Sequence, residues 1–285
     1  MTRRMADPTF LAQQRGMIYA PQVKAINELC DQLMKELTRF KVPYVAPHYN
    51  AETARILALS SNPGPQAGGE KGSGFLSIEN NDGSAERMGD IWNSVGLSDA
   101  DVLPWNAYPW HVHESHPNGL TTELIDAGLE PLKRVLELYP RISAVIAHGG
   151  DAHRSMRRFV RKNDFASFVH ERGIRVWETR HTSNRAYILS THDKAAALDA
   201  VRKAYREAMR FVGLTPIRAS PPARVTSVES RGWASGELSE MAKVVDVLSR
   251  EESGRLIATF VEELSPAKRN ALLTELIVEH FLGAS

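Results

Sequence analysis

Apolar positions along the chain alternate between two rhythms. Residues 23–40 carry Ile26, Leu29, Cys30, Leu33 and Leu37 at helical spacing, which predicts an opening helix. "VPYVAPHYN" then reads as extended. "RILALSS" reads as a buried strand that ends abruptly in the Gly- and Pro-rich loop "NPGPQAGGEKGSGF", and a helix is expected over 87–95. A second strand, "DVLPWNAYPW", leads through a His-rich loop to a helix over 124–138. A third, "ISAVIAHGG", precedes the Arg-rich helix "DAHRSMRRFVRK". The fourth, "IRVWETR", runs into "HTSNRAY" and a long helix over 194–212. Strands alternating with helices predict an α/β fold: a three-layer sandwich with a central, mainly parallel four-stranded sheet and helices on both faces. Ligands of such sheets bind beyond the carboxyl ends of the strands.

Residues 213–235 shift to Pro, Ser, Thr and Arg, which predicts a linker after a main domain of residues 1–212. Beyond it, Leu238, Met241, Val245 and Leu248 share one helical face, Ser249 with Glu252 makes a capping box, and Ser265 with Pro266 opens another helix. Residues 236–285 are therefore expected to form a small helical extension. Its apolar stripe through Leu256, Phe260, Leu264, Leu273, Leu276 and Phe281 either packs back on the main domain, the favoured expectation, or mediates self-association or partner binding.

The net charge of +1 divides unevenly, because residues 236–285 hold nine acidic and five basic side chains and leave +5 for the remainder. That excess suits contact with a polyanion without demanding it. Hydrophobic residues at 42% and charged residues at 24% argue against disorder or a fibrous repeat. The single cysteine, Cys30, lies in the apolar pattern of the first helix, which leaves neither a disulfide framework nor a thiolate cluster and points to a reducing compartment. No apolar run approaches the roughly 20 residues of a membrane span. The start, "MTRRMADPTF", lacks a hydrophobic signal core, so a cytoplasmic location without membrane contact is expected.

Three polar clusters fall at three strand ends. Asn62 precedes Pro63 and Gly64, where prolines remove backbone donors and glycine permits close backbone approach, so a carboxamide can face a cleft. Asn106 sits in "LPWNAYPW". His181, Ser183 and Arg185 sit in "RHTSNRA". Each alone has a plain structural explanation: a turn asparagine, a strand-end turn residue, a loop with a satisfied histidine and a solvated arginine.

Together and in this order they resemble the uracil-DNA glycosylase superfamily, most closely its single-strand-selective monofunctional branch. "SSNPGPQ" is similar to the family's first motif, Phe75 falls where the family places an aromatic ring under the base, and "WNAYP" resembles its uracil-reading strand end. "HTSNR" resembles its second motif, normally His-Pro-Ser-Pro-Arg, and the resemblance spans roughly residues 44–210. It implies removal of uracil, or of a related deaminated or modified pyrimidine, from single- or double-stranded DNA in base excision repair, with an abasic product and no metal or nucleotide cofactor. A DNA-bound, nucleoid-associated fraction would follow. Asn62 would position the water and His181 would stabilise the departing base. Phe75, Asn106 and Gly64 would line the base pocket, while Ser60, Ser61, Ser183 and Arg185 would meet DNA, Arg185 as the wedge that fills the gap. Thr182 and Asn184 stand where the family has prolines, which predicts a looser loop around His181, and Gln66 stands where an aromatic is usual, which leaves another base open.

A catalytically weak relative that only binds DNA, and a glycosylase for another modified base, are the competing readings. His111, His113 and His116 are spaced like metal ligands, but with only Glu114 nearby a DNA-facing loop is the preferred expectation. Arg154, Arg157, Arg158, Arg161 and Lys162 could track phosphates or form a solvated helix face. "AHGGDAHR" reads as a structural glycine turn that gives His153 no catalytic part.

Overall fold

The computed structural model describes residues 3–38, 40–112 and 119–217. These belong to one compact unit, Met1–Ala219. Most of the expected linker, the helical extension and its apolar stripe lie outside the described residues, as do His113, Glu114 and His116.

Four strands form the central sheet: β2 (Ile56–Ser60), β4 (Val102–Asn106), β5 (Ala144–His148) and β6 (Arg175–Thr179), in the order β4-β2-β5-β6 and parallel throughout. β2 and β5 are buried along nearly their whole length, which is why both read as continuous apolar runs and not as alternation. Helices α4 (Gly83–Val95) and α8 (Thr191–Phe211) pack together on one face, and α2 (Lys24–Glu36), α5 (Thr122–Leu138) and α6 (Gly150–Phe159) cover the other. The expected α/β sandwich with a parallel four-stranded sheet is the observed architecture.

Short elements complete it. Helix α1 (Pro8–Gly16) is capped by Asp7, α3 (Pro65–Gly68) follows Asn62, and α7 (Asn163–Glu171) separates α6 from β6. Two-residue strands β1 (Tyr44–Val45) and β3 (Phe75–Leu76) pair in parallel beside the main sheet. The "YVAPHYN" segment is tied down by His48, whose ring nitrogens lie 2.9 Å from Asp99 Oδ2 and 2.9 Å from Ser77 Oγ, and by the Tyr49 hydroxyl, which accepts the Ile78 N–H at 3.0 Å. Buried Asn27 joins α2 to β1, donating to the carbonyls of Ile18 and Val45 and accepting the Val45 N–H.

One glycine sets how closely a helix approaches the sheet end. A Cβ on Gly128 of α5 would sit 1.7 Å from the Ala107 carbonyl oxygen, so α5 can lie against the segment that follows Asn106 only with glycine at that position.

Candidate active site at the carboxyl ends of the strands

Backbone pairing carries the first two clusters to the same place. Ser60 and Asn106 are partners in the β2–β4 ladder, and the pairing continues past the strands through Ala107 N–H to Ser60 O (2.8 Å) and Tyr108 N–H to Ser61 O (3.0 Å). Asn62 therefore leaves β2 beside the end of β4. On the other side of β2, the turn after β5 meets the loop after β6. Gly149 takes φ +84, and a Cβ there would lie 2.9 Å from the His181 Cβ, so glycine is required on both counts.

Asn106 is 3% exposed, and its Nδ2 finds no partner among the described residues. Asn27 and Asn80 are equally buried yet spend their carboxamides on backbone groups and neighbours. A buried amide donor left unpaired costs about 1–3 kcal/mol. Such an orphan at a strand end, beside other polar groups, is what a ligand acceptor would relieve.

His181 is fixed in one protonation pattern. Its Nδ1 accepts the Ser183 backbone N–H at 2.9 Å, so the ring proton of the neutral form resides on Nε2. Burial holds its pKa below the ordinary histidine value, while the charge of Asp151 partly opposes that shift. The ring is thus a neutral N–H donor at pH 7. His148, behind it in β5, is fully buried between Thr179 and Tyr205, with its pKa lowered to about 3 by desolvation and, secondarily, by His181.

The loop that carries His181 is braced without the two prolines. Thr182 is buried at 4% exposure, and the Arg87 guanidinium of α4 donates to the Thr182 carbonyl and to Asn184 Oδ1 (3.1 Å) while lying 4.7 Å from the Tyr187 ring centre. Arg180 adds a bond to the Ala186 carbonyl (2.8 Å). The looser loop expected from Thr182 and Asn184 is therefore offset by an arginine from another element. Arg185 is exposed on the short helical turn Asn184–Tyr187, next to Ile188, which is 80% exposed.

Asn62 is half-buried, with its Oδ1 3.0 Å from Ser61 Oγ and its Nδ2 3.4 Å from the Pro63 carbonyl oxygen. The Ser61 hydroxyl also lies 2.7 Å from Asp151 Oδ2, so it faces a carboxylate where a phosphate contact was expected. A negative charge beside it disfavours a second anion, and the expected DNA contact of Ser61 gives way to an internal one. Ser60 and Ser183 are half-buried. Asp151 was not singled out by the sequence, because "GGDAH" reads as an ordinary helix start; only the adjacency of β5 and β2 gives it a partner.

Phe75 is 1% exposed, with its ring centre 6.5 Å from that of Tyr44. It lines a cavity of about 390 Å³ together with Arg15, Lys41, Tyr44 and the loop 67–74, and that lining includes none of Asn62, Asn106 and His181. The structure thus joins Asn62, Asp151 and His181, with Asn106 on the neighbouring strand, and sets Phe75 in the layer behind the loop. The α6 arginines are largely engaged with protein groups: Arg154 with Asp151 (2.6 Å), Arg157 with Glu178 (2.7 Å) and Arg158 with Asp126 (2.6 Å). His111 lies 3.0 Å from the Pro63 carbonyl oxygen, and no three His, Cys, Asp or Glu side chains among the described residues cluster as a metal would need.

Residues 46–206 match the model of the Uracil DNA glycosylase superfamily. The chain belongs to this superfamily. The match covers more than half of the 285 residues and includes all four strands of the central sheet together with Asn62, Phe75, Asn106, Asp151 and His181. No curated protein matches the chain. Membership makes the chain a glycosylase that acts on DNA in base excision repair.

Proposed function

We propose that the chain is a monofunctional uracil-DNA glycosylase, and the unpartnered, buried Nδ2 of Asn106 is the observation that carries this reading. A uracil swung out of the DNA would bring its O4 to that donor and its N3 proton to Asn106 Oδ1. Cytosine presents the reverse pattern at both atoms, so a fixed carboxamide rejects it. Packing does not demand glycine at Gly64, where a Cβ would meet nothing within 4 Å, which leaves close approach of the ligand as its use.

Bond cleavage then needs two things. The C1′–N1 electron pair leaves with the base, and the His181 Nε2–H, donating to O2, stabilises the charge that develops there, a contribution of about 3 kcal/mol for one well-placed donor in a dry site. Water adds its oxygen to C1′ and gives up a proton, and the base is reprotonated, leaving free uracil and an abasic sugar. Asn62 orients that water, because an amide is too weak a base to deprotonate it. The motifs offer no lysine for Schiff-base chemistry, so the strand itself stays intact. Arg185, with the apolar Ile188 beside it, would fill the space left by the flipped nucleotide, and Ser60 and Ser183 would meet flanking phosphates.

Incubating the protein with a uracil-containing oligonucleotide, followed by alkali and a sizing gel, tests this reading. Breakage at uracil by the unsubstituted chain and not by Asn62→Ala is expected. Intact strands from both would overturn it and leave another modified base, or DNA binding alone, as the function.

A further inference from the structure

His111, the first histidine of the His-rich loop after β4, closes on the turn that follows Asn62. Its Nδ1 lies 3.0 Å from the Pro63 carbonyl oxygen. A carbonyl can only accept, so in the neutral ring the proton sits on Nδ1, the opposite assignment to His181. The ring also rests on α3. A Cβ on Gly68 would lie 2.7 Å from the His111 Cβ and Cγ, and the three nearest atoms it would meet all belong to His111.

The histidine has anchors of its own. Its backbone N–H donates to the Lys41 carbonyl (2.8 Å), and the preceding Trp110, 3% exposed, donates its indole N–H to the Leu33 carbonyl of α2 (3.0 Å). His111 is therefore fixed by residues outside the loop after β2 and reaches across to that loop.

Two groups of the site depend on the carbonyl it holds. The Asn62 carboxamide has its Oδ1 on Ser61 Oγ at 3.0 Å and its Nδ2 3.4 Å from the same Pro63 oxygen, so His111 and Asn62 share one acceptor. The Asn62 contact is the longer, and the shorter bond from His111 sets where that oxygen lies. The second group is the Gly64 N–H. It and the Pro63 carbonyl are the two ends of one planar trans peptide and point in opposite directions, so fixing the carbonyl fixes the N–H. That N–H belongs to an exposed glycine and has no acceptor among the described residues.

We propose that His111 is a positioning residue: by holding the Pro63 carbonyl it sets both the Asn62 carboxamide and the Gly64 N–H, which is left to meet an acceptor on the bound nucleotide. This rests on the uracil-excision reading, in which Asn62 orients the water and the ligand approaches Gly64 closely. In this role His111 acts only through Pro63 and touches neither base nor sugar.

Removing the donor while keeping its bulk tests the clamp. Single-turnover uracil release by the full chain should fall at least about 10-fold in His111→Leu, with DNA affinity changed by less than about 3-fold. His111→Asn, whose side-chain N–H can take the place of Nδ1–H, should recover most of the rate. Gly68→Ala keeps the ring but displaces it, and should slow release as His111→Leu does. A full rate in His111→Leu or Gly68→Ala, no recovery in His111→Asn, or a loss confined to affinity would each overturn the proposal. A readout in the DNA-free protein separates its failure from failure of the uracil reading. The imidazole ¹⁵N signals should place the proton of neutral His111 on Nδ1, and the Gly64 amide signal should move in His111→Leu and in Gly68→Ala. A proton on Nε2, or a Gly64 signal that stays in place, would overturn the clamp even if the unsubstituted protein released no uracil.

Discussion

A single backbone hydrogen bond decides what His181 can do. Because Ser183 N–H occupies Nδ1, the ring offers Nε2–H as a donor without carrying a charge, and burial keeps it neutral. His181→Ala should therefore lower the rate of base release about 100-fold while leaving DNA binding nearly unchanged, as read in single-turnover kinetics and a binding titration. His148 makes a separate, pH-dependent statement. Its folded pKa of about 3 lies below the unfolded value, so the unfolded chain binds a proton first as the pH falls. Stability is full above about pH 6.5 and declines below it, by about 2 kcal/mol at pH 5 from this group alone. Urea unfolding at pH 7 and pH 5 should show that loss, and His148→Gln should remove much of it.

Arg87 does at the level of elements what two prolines do elsewhere. Proline fixes a loop by restricting φ; here α4 reaches across to the loop after β6 and pins Thr182 and Asn184 from outside. Arg87→Ala should slow base release about 10-fold, and Arg87→Lys should recover little of it, because a lysine cannot bond the Thr182 carbonyl and Asn184 at once in the guanidinium's planar fork. An unchanged rate in Arg87→Ala would show that the loop needs no brace. Gly128→Ala is the corresponding change at the sheet end: a Cβ 1.7 Å from the Ala107 carbonyl must push α5 away, so the melting temperature should drop sharply.

These two contacts also mark where sequence reading stops. The central strands were legible because burial on both faces makes them unbroken apolar runs, and the strand-end placement of Asn62, Asn106 and His181 was legible because strand ends in a parallel sheet share one edge. β1 and β3 were not separable as strands, since two residues carry no periodicity, and no element was expected over the nine residues of α7, whose short run of apolar positions falls between the Arg-rich helix and the fourth strand. Asp151 and Arg87 escaped for another reason. Their partners are 90 and 95 residues away in the chain, and nothing local distinguishes a helix-start aspartate or a helix-face arginine that has such a partner from one that does not.

Among the described residues, one edge of the sheet gathers the candidate site residues. β2 and β4 bring the two asparagines side by side, β5 delivers Asp151, and β6 delivers His181, while α4 and α5 hold the loops in register. The described part of the chain is thus a scaffold for four strand ends. The central claim is that they act on uracil, and the most direct measurement is the released base. Oligonucleotides carrying a single uracil, cytosine or thymine would be incubated with the protein and the small-molecule fraction examined by chromatography with mass detection. Free uracil is expected from the first and no free base from the other two; a different base, or none from any of the three, would rule out uracil as the substrate.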